Sequence, residues 1–291
     1  MQFLIFGCGY VGRRVASAWI GAGHEVFAVT RTQKNADLFR QSGIQPIVAD
    51  ICNVDSIALL PVVDVVLYAV GFDQHSGRSR EEVTSGGLRN VLSRINSRFT
   101  RFIYISSTSV FGQSLGEWVD ESSECNPTQP GGRNCIEAER LVWEYFPNRD
   151  TPGATVLRFA GIYGPERLLS RVESIKAGMS VAGRGDSWLN LIHVDDAVSA
   201  VLACEKIGSP FETYVVADDR PVLRSEYYGL LAELVGGPAP IFKPDEASAR
   251  GSGGLNKRCS NKKLREQLNW VLAFPTIEMG LPASIKSTTL P

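Results

Sequence analysis

"MQFLIFGCGYVGRRVASAWIGAGHEVFAVTRT", residues Met1–Thr32, opens with a short apolar run, Phe3–Phe6, that enters Gly7-x-Gly9-x-x-Gly12 directly. A helix-period segment, Val11–Ala22, follows, and then a second apolar run, Val26–Thr30. Strand, glycine-rich turn, helix and strand in this order make a dinucleotide-binding unit. Gly7 permits the tight turn, Gly9 lets the backbone approach a pyrophosphate, and Gly12 lets the helix pack on the strand. The helix N-terminus, with Tyr10 and Val11, then faces the phosphates. A glycine-rich turn that binds nothing is the competing reading, and the flanking strand and helix argue against it. The end of the second strand reports on cofactor type. An acidic residue there would accept hydrogen bonds from the adenosine ribose, but this chain has Thr30 followed by Arg31. A missing carboxylate removes repulsion of a 2′-phosphate, and an arginine offers it a charge-assisted fork. The expectation is NADP in preference to NAD, with Arg31 as a solvated loop residue the alternative. Asp50, after the third apolar run, stands either at the adenine rim or as a helix cap.

Further apolar runs at Pro46–Ala49, Val62–Val70, Phe102–Ser106 and Thr155–Phe159 alternate with helical patterns at Ala36–Ser42, Val83–Ile95 and Ile136–Phe146. Continuous apolar strands separated by helices predict a parallel sheet covered on both faces. The fold class is therefore α/β, a doubly wound parallel sheet of the NAD(P)-binding Rossmann type, with a small C-terminal α/β substrate domain. Residues 1–166, completed by about 189–217, are assigned to the dinucleotide domain, and 167–188 with 218–291 to the smaller one. In that later part Asp195–Glu205 and Ser225–Val235 read as helices and Thr213–Val216 as a strand. "GGPAPIFKPDEASARGSGG" (236–254) reads as a long loop or lid.

The chain has 291 residues, 44% hydrophobic and 21% charged, with a formal net charge of −1. That balance offers no basic surplus for nucleic acid or an anionic membrane. The first apolar run is too short for a signal-peptide core or a membrane span, so a cytoplasmic protein is expected. The six cysteines are scattered and form no C-x-x-C pair. Buried or idle thiols are expected, with no metal site.

The motifs together resemble the extended short-chain dehydrogenase/reductases, in the NAD-dependent epimerase/dehydratase group. The resemblance rests on "GCGYVG", "YAVG" (68–71), "SSTSVFG" (106–112), "VDESSECNP" (119–127), "LRFAGIYGP" (157–165), "LIHVDD" (191–196) and "NKRCSNKKL" (256–264). It implies hydride transfer between nicotinamide and a carbinol or carbonyl. It places Ala69, Val70, Gly71 and Ser106 along the cofactor, and Ser107 as the hydroxyl that hydrogen-bonds the substrate oxygen. The family's remaining pair is Tyr-x-x-x-Lys, in which the lysine binds the nicotinamide ribose and its charge lowers the phenol pKa. Laid on "PTQPGGRNCIEAERL" (127–141), the tyrosine position falls on Gly131 and the lysine position on Cys135. The chain resembles an atypical member that lacks the usual pair. Glycine has no side chain, and a thiol is no substitute for a permanent ammonium. Tyr163 is the candidate stand-in phenol, or else an aromatic that packs the loop. His193 and Arg258 are substrate-pocket candidates by the same resemblance. Their alternatives are a satisfied structural histidine and a solvated basic loop.

Two functions follow. One is an NAD(P)-dependent oxidoreductase or epimerase/dehydratase-like enzyme that acts on a carbonyl, carbinol or nucleotide-sugar substrate with non-standard acid–base groups. The other is a non-catalytic NADP-binding sensor or regulator. The resemblance also suggests a homodimer through the helices at 83–95 and 136–146.

Overall fold

The computed structural model describes residues 1–57, 59–95, 99–147, 153–206, 211–244 and 255–288. The chain runs β1 (Gln2–Phe6), α1 (Tyr10–Gly21), β2 (Glu25–Thr30), α2 (Gln33–Gln41), β3 (Gln45–Val48), β4 (Val65–Tyr68), α3 (Gly87–Arg94), β5 (Arg101–Ser107), β6 (Glu117–Val119), α4 (Pro130–Tyr145) and β7 (Gly153–Phe159). It continues through β8 (Gly161–Tyr163), α5 (Leu169–Lys176), β9 (Val181–Ala182), β10 (Trp188–Leu189), β11 (Leu191–His193), α6 (Val194–Lys206) and β12 (Glu212–Val216). The last elements are β13 (Val222–Leu223), α7 (Arg224–Val235), β14 (Phe242–Lys243), β15 (Lys257–Cys259), α8 (Lys262–Leu268) and α9 (Ile277–Thr288).

Seven strands form one sheet in the order β12-β7-β5-β4-β1-β2-β3. β1 pairs in parallel with β2 on one side and β4 on the other, and β2–β3 and β4–β5 are also parallel. The chain thus builds outward to β3, returns, and builds outward again through β4 and β5. The reversal lies at β1, and an open α/β sheet binds its ligand at such a switch point, beyond the carboxyl ends of the strands. Burial explains the strand composition: Phe3–Phe6 and Val65–Tyr68 are buried throughout, as a two-faced sheet requires. Leu88, Val91 and Leu92 of α3 and Ala138 and Val142 of α4 cover one face, in a core with Leu4, Val66, Phe102 and Val156.

Two compact units divide the chain. The first comprises Met1–Val110, Pro130–Arg158 and Val198–Tyr214; the second comprises Phe111–Gln129, Phe159–Ala197 and Val215–Pro291. Residues 111–129, assigned to the first domain from sequence, fall in the second unit because β6 pairs in parallel with β15. The second unit has its own core of Tyr163, Leu168, Ile175, Tyr227, Leu231 and Leu281. Its strands are short pairs, β8–β11, β9–β14 and β10–β13, which alternation in sequence did not reveal. β14 lies within the expected loop at 236–254, and the rest of that expectation, from residue 245 on, lies outside the described residues. Among the described residues no helix is long and apolar enough to cross a membrane.

Three boundaries differ from the sequence reading. The strand expected at Val62–Val70 contracts to β4, Val65–Tyr68. The helix expected at Val83–Ile95 starts earlier, at Arg80, and runs without a gap through a π-helical turn, Glu82–Gly86, into α3. α4 begins at Pro130 rather than Ile136, because proline suits the first helical position, where no intrahelical N–H bond is needed.

Candidate functional site

At the end of β1 the three motif glycines take different roles. Gly7 has φ of +87°, and a Cβ on it would lie 2.5 Å from the Ala69 carbonyl and the Val70 nitrogen. A Cβ on Gly12 would lie 2.6 Å from the Gly7 oxygen. Both glycines are therefore required by close backbone approach, Gly7 to the segment after β4 and Gly12 to the turn itself. A Cβ on Gly9 meets nothing within 4 Å, so the turn is open there. Gly9 caps α1 without a side-chain hydrogen bond, and no acidic residue occupies the first helical turn. Tyr10 and buried Val11 begin that turn, with Arg14 resting on the Tyr10 ring at 4.1 Å. An open backbone cradle at an uncapped helix start is the arrangement that a pyrophosphate fits. Cys8 in the same turn is a buried thiol pushed up to about 12 by burial, so it stays protonated.

Beyond β1, Thr30 is buried at the end of β2 and Arg31 is exposed, without a hydrogen bond or ion pair among the described residues. Asp50 is already engaged. Its Oδ1 accepts from the Cys52 amide at 3.0 Å, and its Oδ2 pairs with Arg78 at 2.7 Å. It therefore closes an Asx-type turn rather than capping a helix; Asn53 caps the short 3₁₀ turn that follows. On the other side of β1, Ala69 donates its amide to Phe6, and a Cβ on Gly71 would meet nothing within 4 Å.

At the end of β5 the adjacent serines diverge. Ser106 is buried and donates to Glu139 Oε1 at 2.5 Å. Glu139 in turn is paired with buried Arg158, whose Nη2 lies 2.8 Å from Oε2. Ser106 thus ties β5 to α4 beneath the site. Ser107 is half-buried, and its Oγ accepts from the Ser109 amide at 3.1 Å. That bond uses an acceptor position and leaves the hydroxyl proton available for donation. Ser109 Oγ donates to Cys135 Sγ at 3.9 Å. Burial pushes the Cys135 thiol upward, Glu139 adds to the shift, and the Ser109 hydrogen bond and Arg80 oppose it. Cys135 is consequently a neutral thiol near pH 7, not a thiolate base.

The space beside Gly131 is bordered by Arg80. A Cβ built on Gly131 would lie 3.9 Å from Cζ and from Nη1 of that guanidinium, which also rests 4.3 Å above the Phe72 ring. Sequence reasoning missed both residues. The signal was Ser79-Arg-Glu-Glu82, a capping box in which Ser79 Oγ accepts from the Glu82 amide and Glu82 accepts from the Ser79 amide. It starts a helix at Arg80.

The second-unit candidates are placed as follows. Tyr163 is fully buried, and a Cβ on Gly280 would come 1.9 Å from its hydroxyl oxygen. Burial, with Asp218 nearby, raises its phenol far above the ordinary range. This burial matches the alternative reading, an aromatic that packs the loop. His193 is also buried. Ser284 donates to the Gly280 carbonyl at 2.7 Å, so the 3.2 Å contact is a donation from His193 Nε2–H to Ser284 Oγ. Nδ1 then accepts from the Asp195 amide at 3.2 Å. Both ring nitrogens have partners within the protein, as the alternative reading of a satisfied structural histidine expects. Arg258 lies on β15 between two tryptophans, Trp118 at 5.0 Å and Trp188 at 5.2 Å, and its Nε donates to the Gly116 carbonyl at 2.9 Å. It is held by aromatic faces rather than solvated in a loop.

The fold and the open phosphate turn define a dinucleotide-binding α/β protein with the sheet reversal at β1. Residues 3–217 match the NAD dependent epimerase/dehydratase family, and the chain belongs to it; it is an NAD(P)-dependent epimerase/dehydratase-like protein. The Escherichia coli K12 protein YeeZ is 27% identical over 252 residues, 85% of this chain and 88% of its own length. A functionally unknown conserved protein from Silicibacter pomeroyi superposes with a TM-score of 0.80 at 27% identity, over 99% of each chain. The Bacillus cereus UDP-glucuronic acid 4-epimerase, solved with UDP-glucuronic acid and NAD, superposes with a TM-score of 0.79 at 20% identity, again over 99% of each chain, and shares the fold.

Proposed function

We propose that the protein binds NADP(H) in preference to NAD(H) and uses it in an oxidoreductase or epimerase-like reaction on a carbonyl, carbinol or nucleotide-sugar substrate. The observation that carries the reading is the open cradle at Gly9, with Thr30 at the end of β2 and, just beyond it, an Arg31 without a partner among the described residues. The Gly9 backbone and the first turn of α1 would hold the pyrophosphate. Arg31 would hold the 2′-phosphate in a charge-assisted fork. Gly71 leaves room on the far side of β1. When bound, the nicotinamide would supply hydride chemistry. Ser107, fixed by the Ser109 amide, would donate its hydroxyl proton to the substrate oxygen. The UDP-glucuronic acid solved with the Bacillus cereus epimerase supports a nucleotide-linked substrate.

A second reading, a dinucleotide sensor, is favoured by one feature: α4 offers neither a phenol nor an ammonium, and Cys135 stays a neutral thiol. Calorimetric titration with NADPH, NADH, NADP and NAD tests the cofactor assignment. The wild type is expected to prefer the phosphorylated pair, and Arg31→Ala to lose that preference. Equal affinity for both pairs in the wild type would overturn it. Turnover that Ser107→Ala abolishes supports the enzyme; ligand binding without turnover across a broad carbonyl panel supports the sensor.

A further inference from the structure

We infer that Arg80 is the cation of the nicotinamide half-site, supplying from the helix after β4 the positive charge that α4 does not carry. This rests on the dinucleotide reading above and extends it to a residue outside the sequence motifs. The topology places the site. β2 and β3, with Thr30 and Arg31, lie on one side of β1, and β4 and β5 on the other. A dinucleotide that crosses the reversal at β1 with its adenosine end over β2 puts its other half over β4 and β5. Phe72, Ser107, Gly131 and Cys135 all belong to segments that leave or face those strand ends.

Three observations make Arg80 more than a surface arginine. First, its guanidinium makes no hydrogen bond or ion pair among the described residues. Arg40, Arg78, Arg140, Arg158, Arg184 and Arg265, by contrast, are each paired with a carboxylate. Second, the group is held over the Phe72 ring at 4.3 Å, a contact that uses up none of its N–H donors. Third, it borders Gly131, where a Cβ would touch it at 3.9 Å, and the neighbouring Cys135 thiol feels its charge. An always-charged group cannot shuttle protons, so the role is binding: its N–H donors hydrogen-bond acceptor oxygens on the nicotinamide side of the cofactor.

The test is calorimetry on the whole protein with two ligands, NADP and adenosine 2′,5′-bisphosphate, which lacks the nicotinamide half. Arg80→Ala is expected to weaken NADP about tenfold or more, the range of a lost charge-assisted hydrogen bond, and to leave the bisphosphate unchanged. Arg80→Lys, which keeps the charge, is expected to recover part of the loss. Arg31→Ala serves as the contrast and weakens both ligands. NADP affinity in Arg80→Ala within twofold of wild type would overturn the inference, as would an equal loss for both ligands. Wild-type protein that binds neither ligand defeats the cofactor reading itself, a result distinguishable from either.

Discussion

Gly131 and Cys135 determine what chemistry α4 can offer. A raised thiol is a poor nucleophile, so alkylation of Cys135 should follow a pH profile displaced above the ordinary thiol value of 9.0, the direction that burial imposes. Mass-spectrometric mapping of iodoacetamide adducts across pH 6–10 measures this. Half-maximal labelling of Cys135 below pH 8 would contradict the neutral thiol and reopen its use as a base. Beneath it, Ser106, Glu139 and Arg158 form a buried charged network. Removal of one partner strands the other charge, so Glu139→Ala or Arg158→Ala should cost about 3–5 kcal/mol, read by chemical denaturation. Replacing both partners with apolar residues of similar volume should cost much less. A single variant with wild-type stability would show that the pair is not desolvated as its burial indicates.

The turn between β1 and α1 separates stability from binding. Gly9→Ala adds a methyl where nothing lies within 4 Å, so the melting temperature should stay within a few degrees of wild type while dinucleotide binding falls at least tenfold. Gly7→Ala and Gly12→Ala force a Cβ to within 2.6 Å of backbone atoms and should lower the melting temperature strongly. A Gly9→Ala protein that binds normally would place the pyrophosphate elsewhere. This element was legible in sequence because each glycine reports a local backbone demand, and the buried runs of β1, β2, β4 and β5 report a two-faced sheet. The short strand pairs of the second unit were not legible, since two- and three-residue strands carry no periodicity. Nor were the ties that depend on partners distant in sequence. Glu139 and Arg158 appear in the quoted motifs as isolated letters, and only folding joins them. His193 was visible as a residue type, but its fixed tautomer depends on Ser284, far along the chain.

For the molecule as a whole, Asp218 makes stability depend on pH. It is buried in the second unit, and its carboxyl is raised well above the ordinary 3.8. Burial is the main cause; Asp219 and Asp196 add to the shift, while the Arg220 amide and charge temper it. A folded-state pKa above the unfolded value contributes stability that is complete below pH 3.8 and lost as the pH rises toward the folded value. Asp218→Asn removes the buried carboxyl, so it should raise the melting temperature near pH 7.5 and change it little near pH 4. Scanning calorimetry at the two pH values reads the difference; an equal shift at both would refute the assignment. The sandwich of Arg258 between Trp118 and Trp188 has an optical consequence. A guanidinium stacked on indole faces perturbs their emission. An anionic ligand that draws Arg258 away from either ring should therefore change the protein's intrinsic fluorescence, a signal that Trp118→Phe should diminish, so the second unit carries a built-in, label-free reporter for any ligand that reaches Arg258.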